Sequence, residues 1–211
     1  MNIFKNIINI IFPERCLGCK RGDDLVCQSC IDNLPSSTKE LPDIISLFDY
    51  KNELVKKLIW HLKYRNKTSL AKIFAAAIYD RIVPELEELE TMNNFENPIL
   101  VPIPLSKNRL KERGYNQSEL LVDELAKLTN LEALVCLEKI KETPTQVSIK
   151  NREKRLANLS SCFIPIKIEK IKDRNIFVVD DVTTTGTTIE EARKTLLEAG
   201  AKKVLGLTIA H

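Results

Sequence analysis

The sequence has no run of about 18 consecutive apolar residues, the length that a membrane-spanning helix needs. Glycine and histidine are scarce, with six and two residues in a chain of 211. Neither the GK[ST] end of a Walker A loop nor a GxGxxG fingerprint occurs, which argues against a P-loop NTPase and a dinucleotide-binding protein. The net charge is +3, from 32 basic and 29 acidic residues. This balance gives no indication that the whole chain is a cationic nucleic-acid binder, but it allows a local basic face.

The first twelve residues are apolar enough to raise the question of a signal peptide. However, Lys5, Asn6 and Asn9 interrupt the run, and no small-residue cleavage site follows. The apolar side chains recur at helical spacing, at Ile3, Phe4, Ile7, Ile8 and Ile11. We therefore expect an amphipathic helix that docks on the body of the protein, and no membrane span. Without a secretory signal, a cytoplasmic location is expected, where disulfides are disfavoured.

Four of the six cysteines form two CxxC pairs separated by seven residues: Cys16, Cys19, Cys27 and Cys30. Each CxxC pair lets two thiolates hold one ion across a tight turn, and four thiolates fill a tetrahedral shell. The spacing therefore predicts a structural Zn²⁺ site. Residues 13–34 contain too few apolar side chains to fold by burial alone, and zinc binding can stabilise such a segment.

The segment 34–43, with two prolines and two serines, is typical of a linker. It divides the chain into residues 1–43, with the N-terminal helix and a zinc-ribbon or zinc-finger module, and residues 44–211. In the second part, helical spacing at 54–64, 70–90, 118–129 and 188–199 alternates with apolar runs at 99–104, 176–179 and 204–209. This alternation predicts an α/β domain with a mostly parallel sheet and helices on both faces.

The most informative segment is residues 176–188, IFVVDDVTTTGTT. A buried strand leads to Asp180 and Asp181, and ligands of open α/β sheets bind at the carboxyl ends of strands. A hydroxyl-rich loop then opens a helix, with Thr183, Thr184, Thr185, Gly186, Thr187 and Thr188. The glycine permits a turn that aims N–H groups inward, and the helix N-terminus adds positive potential, so the loop can hold a phosphate. Because paired carboxylates suit vicinal hydroxyls, the segment predicts a sugar 5-phosphate site.

This segment resembles the phosphoribosyl-pyrophosphate (PRPP) loop of type I phosphoribosyltransferases. The resemblance implies a parallel sheet flanked by helices, with the ribose hydroxyls on Asp180 and Asp181 and the 5-phosphate on Thr184–Thr188. Purine-salvage members carry an aspartate at the position of Thr184. The threonine here argues against a hypoxanthine or guanine enzyme.

A basic loop, LSKNRLKER, follows the apolar run 99–104. The pyrophosphate of PRPP needs basic side chains and N–H donors beyond a strand end. The candidates to bind it are Leu105, Ser106, Lys107, Arg109 and Arg113, whereas Lys111 is better explained as solvated. For these basic residues as a group, the alternative that they form a solvated helix end also remains open. Mg²⁺ would bridge the phosphate oxygens and keep most of its waters, so a full protein cage is not expected.

The motif VPIPL…R…RGYNQ, with LKY at 62–64, resembles the ComF family, whose members act in natural DNA transformation. That family joins a four-Cys zinc module to a phosphoribosyltransferase-like domain, and this chain has both in the same order. Four more matching residues lie in the polar stretch 141–158: Gln146, Arg152, Arg155 and Asn158. We predict that this stretch closes over PRPP as a mobile hood, with an ordinary exposed connection as the alternative.

A second basic stretch, residues 51–72, carries a single acid and interleaved aromatics. Single-stranded nucleic-acid sites combine cationic grooves with aromatic stacking platforms, and Trp60 and Tyr64 lie four residues apart on one helical face. The candidate contacts to single-stranded DNA are Lys56, Lys57, Trp60, Lys63, Tyr64, Arg65 and Lys67. The alternative is that the aromatics pack inward while the lysines face water.

Two functions remain open. The ComF resemblance implies a cytosolic competence protein that binds Mg²⁺–PRPP and handles single-stranded DNA, with a DNA-import helicase as a candidate partner. The alternative is an active phosphoribosyltransferase that transfers ribose 5-phosphate from PRPP to a nitrogen acceptor and releases pyrophosphate. No residue identifies the acceptor, so the sequence predicts no catalytic residue.

Overall fold

The computed structural model describes residues 15–22, 24–38, 41–140 and 162–211. The strands of this part are β1 (Ile44–Phe48), β2 (Ile99–Pro102), β3 (Leu137–Lys139), β4 (Phe163–Pro165), β5 (Asn175–Val182) and β6 (Lys203–Ala210). The helices are α1 (Gln28–Asp32), α2 (Glu53–Tyr64), α3 (Ser69–Asn93), α4 (Lys107–Arg113), α5 (Gln117–Thr129), α6 (Ile168–Ile171) and α7 (Thr187–Glu198). None of the helices in these residues is long and apolar enough to cross a membrane.

Four strands form a parallel sheet in the order β1-β6-β5-β2, and β3 and β4 pair as a separate antiparallel ribbon. Successive side chains of β5 enter different cores because side chains alternate across a sheet. Phe177 and Val179 pack with α2, α3 and α5, whereas Ile176 and Val178 pack with α7 and the β3-β4 ribbon. The predicted α/β architecture, a parallel sheet with flanking helices, is confirmed.

The cysteine segment packs directly on the first of these cores. Cys16, Val26 and Ile31 are buried in the same cluster as Leu58 of α2. The Cβ that a side chain at Gly18 would carry lies only 2.8 Å from both Cys30 Sγ and Leu54 Cδ2, so this close approach requires glycine. The cysteine segment thus supports α2, while the division of the chain at residue 43 stays a prediction.

The helices expected at 54–64, 118–129 and 188–199 begin and end within one residue of those bounds. The edge strand β1 was not predicted, because Ser46 interrupts its short apolar run; the serine hydroxyl is hydrogen-bonded to Thr208 Oγ1 at 2.8 Å. The segment 34–43, which the sequence predicts to be a linker, also lies partly against the sheet. Pro35 and Ser37 lie along the end of β1, where Ser37 N donates to Leu47 O at 3.0 Å.

Candidate functional site

Two buried aspartates lie at the carboxyl end of β5. Asp180 is 9% exposed and Asp181 is 3% exposed. They belong to the strand itself, which extends to Val182 because its partner β6 runs on to Ala210. The Ser118 hydroxyl, in the first turn of α5, donates to Asp180 Oδ1 at 3.0 Å, and the Asp181 amide donates to the same oxygen at 2.9 Å.

Lys63 forms an ion pair with the second aspartate. Its Nζ lies 2.8 Å from Asp181 Oδ1, and the two side chains are 19% and 4% exposed. Lys63 was predicted on a DNA-binding face, but the structure places its ammonium at the acid pair instead. Asp181 Oδ2 is buried and has no hydrogen-bond partner among the described residues. It is therefore an acceptor available to a ligand.

Burial and mutual charge set the ionisation of this group. Burial, followed by the neighbouring Asp181 charge, raises the pKa of Asp180 to about 7, although Lys63 and the Ser118 hydrogen bond oppose this. Burial alone would lower the pKa of Lys63, but the Asp181 carboxylate reverses the effect and the net pKa is raised. Lys63 therefore stays charged at neutral pH, whereas Asp180 gains or loses its proton near neutral pH.

The raised pKa of Asp180 predicts a pH-dependent stability. Between about pH 4 and 7 the folded chain keeps a proton on Asp180 that the unfolded chain releases above its ordinary pKa of 3.8. The free energy of unfolding should therefore fall as pH rises through this window, by up to about 1.4 kcal/mol per pH unit for one proton. Urea unfolding of wild type and Asp180→Asn at several pH values measures this slope. We expect the free energy of unfolding of wild type to fall with rising pH relative to that of Asp180→Asn. The same pH dependence in both proteins would contradict the prediction.

The hydroxyl-rich loop follows the acid pair and begins α7. Thr183 N donates to Ala210 O at 3.0 Å, and Thr183 Oγ1 accepts from Gly186 N at 3.0 Å. Gly186 has φ of 77°, a left-handed conformation that favours glycine, and it forms the N-cap of α7. The hydroxyls of Thr185 and Thr187 are hydrogen-bonded at 2.6 Å. The loop thus has a fixed turn that presents hydroxyl groups at the start of a twelve-residue helix.

The basic loop after β2 has a mixed arrangement. Ser106 Oγ caps α4 by accepting from Arg109 N at 3.5 Å. Lys107 is exposed, with its Nζ 4.0 Å from Glu138 Oε1, and Leu105 is half-buried. Arg113 Nη1 donates to Gln117 Oε1 at 2.5 Å. Of the predicted pyrophosphate contacts, Lys107 and Arg109 lie in the first turn of α4, shortly after the end of β2. Arg113 is the last residue of α4.

The RGYNQ segment holds the surrounding elements together. Tyr115 Oη donates to the Leu62 carbonyl in the last turn of α2. Asn116 Nδ2 donates to Ile103 O at 3.0 Å, and its Oδ1 accepts from Ser118 N at 3.0 Å as the N-cap of α5. The motif therefore fixes both Lys63 and Ser118 next to the aspartates. Ser118 was not predicted as a site residue; its place directly after RGYNQ was the signal available.

An exposed aromatic and guanidinium stack lies on α2. Trp60 and Tyr64 are 43% and 59% exposed, with ring centroids 6.2 Å apart. The Arg65 guanidinium lies 4.9 Å from the Trp60 ring, and that of Arg113 lies 4.9 Å from the Tyr64 ring. The alternative that the aromatics pack inward is therefore wrong. We call these four residues the α2 stack.

The remaining candidates on this stretch lie near it. Lys56 Nζ is 2.7 Å from Glu53 Oε1, with 42% of the lysine side chain exposed. Lys57 is half-buried, and proximity to Lys20 lowers its pKa. Lys67 follows the helix and donates its backbone N–H to His61 O at 3.4 Å. The predicted contacts thus lie along α2 and the turn after it, and among them Lys63 differs because its ammonium is at the acid pair.

The four N-terminal cysteines converge as predicted. Their Sγ atoms all lie within 4.8 Å of one another, with 3.8 Å between Cys16 and Cys27 and 3.7 Å between Cys19 and Cys27. A tetrahedral ion with Zn–S distances of about 2.3 Å requires sulfur atoms about 3.8 Å apart. The cluster therefore fits a metal ion, and four thiolates suit zinc.

Two predicted features lie outside the described residues. The hood residues Gln146, Arg152, Arg155 and Asn158 fall within 141–161, and the N-terminal helix falls within 1–14. Both stay predictions.

The fold, with an acid pair and hydroxyl-rich loop at a strand end, defines the type I phosphoribosyltransferase class. Residues 117–210 match the phosphoribosyl transferase domain model, which corresponds to the chain from α5 to β6. The family is narrower than this class. The chain is 35% identical to competence protein ComFC of Streptococcus pneumoniae over 197 residues, covering 92% of this chain and 79% of that protein. It belongs to the ComF family, as the sequence motifs predicted.

Two further relatives of the chain are a competence protein and a DNA utilization protein. Competence protein ComFC of Bacillus subtilis is 31% identical over 158 residues, covering 74% of this chain and 58% of that protein. The DNA utilization protein YhgH of Escherichia coli K12 is 27% identical over 205 residues, covering 90% of this chain and 85% of that protein. The chain therefore spans little more than half the length of the Bacillus relative.

Proposed function

We propose that this protein is a competence protein of natural transformation that binds Mg²⁺–PRPP and handles single-stranded DNA in the cytosol. The observation that carries the PRPP assignment is the buried Oδ2 of Asp181, which lies beside a hydroxyl-rich loop and has no hydrogen-bond partner in the part of the chain that the structure describes. A buried acceptor without a partner is costly, and a sugar hydroxyl would satisfy it. The names of the relatives, competence and DNA utilization proteins, support the assignment to DNA uptake.

Each part of PRPP has its own group of residues. The ribose hydroxyls bind Asp180 and Asp181, and the 5-phosphate binds the loop Thr184–Thr188. The pyrophosphate takes the basic loop after β2, through Lys107, Arg109 and Arg113, and its oxygens hold the Mg²⁺. From the family resemblance alone, we propose that Arg152 and Arg155, which lie outside the described residues, close over the bound molecule. A structural Zn²⁺ binds the four clustered cysteines.

Single-stranded DNA binds along α2. The α2 stack offers two exposed aromatic rings for base stacking, and Arg65 and the nearby lysines offer charge for the backbone. Arg113 belongs both to the stack and to the loop proposed for pyrophosphate. The two ligands therefore bind close to each other. A DNA-import helicase of the competence system is the protein partner that we propose from the family.

One observation favours the alternative, an active phosphoribosyltransferase. A cavity of about 210 Å³ adjoins the hydroxyl-rich loop and has room for a small planar acceptor. The residues lining it are polar, aromatic, basic and acidic: Thr38, Asp49, Tyr50, Lys51, Lys56, Thr184 and His211. The His211 ring donates from Nε2 to the Thr184 carbonyl at 3.0 Å, which joins two of the lining residues.

Calorimetry with PRPP, with and without Mg²⁺, tests the proposal. Wild type is expected to bind PRPP, and Asp180→Ala/Asp181→Ala to bind it about 100-fold more weakly, because the sugar hydroxyls lose both carboxyl groups that accept their hydrogen bonds. Asp123→Ala removes an exposed acid of α5 and serves as the control with unchanged affinity. Wild type that binds no PRPP would exclude the proposed function.

The same preparation decides between binding and turnover. PRPP, Mg²⁺ and a panel of nucleobases are incubated with wild type, and pyrophosphate release is followed. Tight binding without release supports the binding protein, whereas release with any base supports the enzyme.

A further inference from the structure

Lys63 is a mostly buried cation placed against the acid pair. Its side chain is 19% exposed, whereas that of Lys56 on the same helix is 42% exposed. A buried ion pair gives a fold little more stability than apolar residues of the same volume. The position of this pair at a strand end, where ligands bind, points to a role in the site.

The last turn of α2 keeps the ammonium in place. Leu62 is fully buried, and its carbonyl accepts the Tyr115 hydroxyl hydrogen bond. The neighbouring Tyr64 is contacted from outside by the Arg113 guanidinium. Lys63 therefore extends inward, at a 2.8 Å separation from Asp181 Oδ1, and not toward the exposed face of α2.

The two oxygens of Asp181 have different environments. Oδ1 is paired with the ammonium, while Oδ2 is buried without a partner among the described residues. A divalent cation on this carboxylate would meet the positive charge of Lys63 at short range, where repulsion in a buried site is strong. A neutral hydroxyl can donate to Oδ2 without that cost. The geometry thus favours a hydroxyl over a metal ion.

We propose that Lys63 is the fixed counter-cation of the acid pair, which keeps Asp181 an acceptor for sugar hydroxyls and closes the pair to divalent metal. The inference rests on the proposed PRPP site and deepens it, since the metal that accompanies PRPP then lies on the phosphates. Lys63 is a positioning residue in this arrangement, because it acts through Asp181.

Ribose 5-phosphate, which lacks the pyrophosphate, is the probe. Calorimetry on zinc-loaded wild type should give the same affinity in buffer without added divalent cation and in Mg²⁺. Lys63→Met is expected to bind it roughly tenfold more weakly without added Mg²⁺, since the carboxylates lose their counter-charge. Lys63→Arg keeps the charge and should stay within about threefold of wild type. Lys127→Met removes an exposed lysine that pairs with Glu124 on α5 and should change nothing.

Mn²⁺ binding, followed by electron paramagnetic resonance on zinc-loaded protein without sugar, gives a second readout. Wild type should bind no Mn²⁺ at the acid pair. Lys63→Met should gain one Mn²⁺ site, and Lys63→Met/Asp181→Asn should lose it again. Unfolding transitions confirm that the variants fold, and Lys63→Gln replaces Lys63→Met if that protein does not.

Three results would each overturn the role of Lys63: an unchanged ribose 5-phosphate affinity in Lys63→Met, a need for Mg²⁺ in wild type, or no new Mn²⁺ site. Wild type that binds neither PRPP nor ribose 5-phosphate would instead exclude the proposed function. The Mn²⁺ titration needs no sugar, so it still decides the role of Lys63 in that case.

Discussion

Cys16→Ser protein is expected to lose its zinc and the fold of the cysteine segment. Cys16 is fully buried in the same core as Val26 and Leu58, and its Sγ lies 3.8 Å from that of Cys27. Structural zinc contributes about 10–16 kcal/mol in small zinc-dependent peptides. Whole domains are stable by only about 5–15 kcal/mol. The loss is therefore large for a segment with so few apolar residues.

Metal analysis of the purified protein and limited proteolysis measure this effect. Cys16→Ser should contain no zinc, be cleaved within residues 15–38 and give less soluble protein. Cys136→Ser is the matched control, because Cys136 is also fully buried but lies in the other core. It should keep its zinc and its protease resistance. Unchanged zinc and resistance in Cys16→Ser would contradict the structural-zinc interpretation.

The same variant shows how far the cysteine segment supports the PRPP site. Gly18 lies close to both Cys30 and Leu54, the latter in the first turn of α2, and Lys63 lies in the last turn of that helix. The acid pair itself lies on β5 and does not depend on the cysteines. PRPP binding in Cys16→Ser should therefore weaken without being abolished, because only the α2 contribution is disturbed.

The features that the sequence predicted well are those encoded by neighbouring residues. The CxxC pairs bring their own sulfur atoms together through tight turns, and residues 176–188 contain strand, acids, loop and helix start in succession. The parallel strands were recognisable as short apolar runs, and the helices between them by the regular helical spacing of their apolar residues. Such local signals gave the fold class, the metal cluster and the acid pair.

The interactions that complete the site come from residues far apart in the chain. Lys63 and Asp181 are separated by more than a hundred positions, and the neighbours of Lys63 on α2 suggested a surface role shared with Lys56 and Lys57. Helical periodicity does not tell which face of α2 meets the strand end. Similarly, Ser118 reaches Asp180 only because Asn116 fixes the start of α5 beside β5. These partnerships depend on tertiary packing.

Removing the aromatic rings of the α2 stack should strongly weaken single-stranded DNA binding. Base stacking on an aromatic ring is worth about 1–3 kcal/mol per base, so Trp60→Ala/Tyr64→Ala is expected to lose at least about tenfold in affinity. Both rings are exposed and lie beside guanidinium groups, so the substitutions leave the buried core of α2 intact. Fluorescence anisotropy with an oligo-dT strand, titrated at several salt concentrations, measures the effect. Leu128→Ala, an exposed apolar residue on α5, is the control.

The salt dependence separates stacking from charge. The aromatic rings release no counterions, so Trp60→Ala/Tyr64→Ala should lower the affinity at every salt concentration and leave the log–log slope unchanged. Lys56→Gln/Lys57→Gln should instead flatten the slope, by about 0.7 for each phosphate that the variant no longer neutralises. Equal affinity in wild type and the aromatic variant would exclude the α2 stack as a base platform. A near-zero slope in wild type would exclude phosphate contacts by the lysines, because neutralising a DNA backbone always releases counterions.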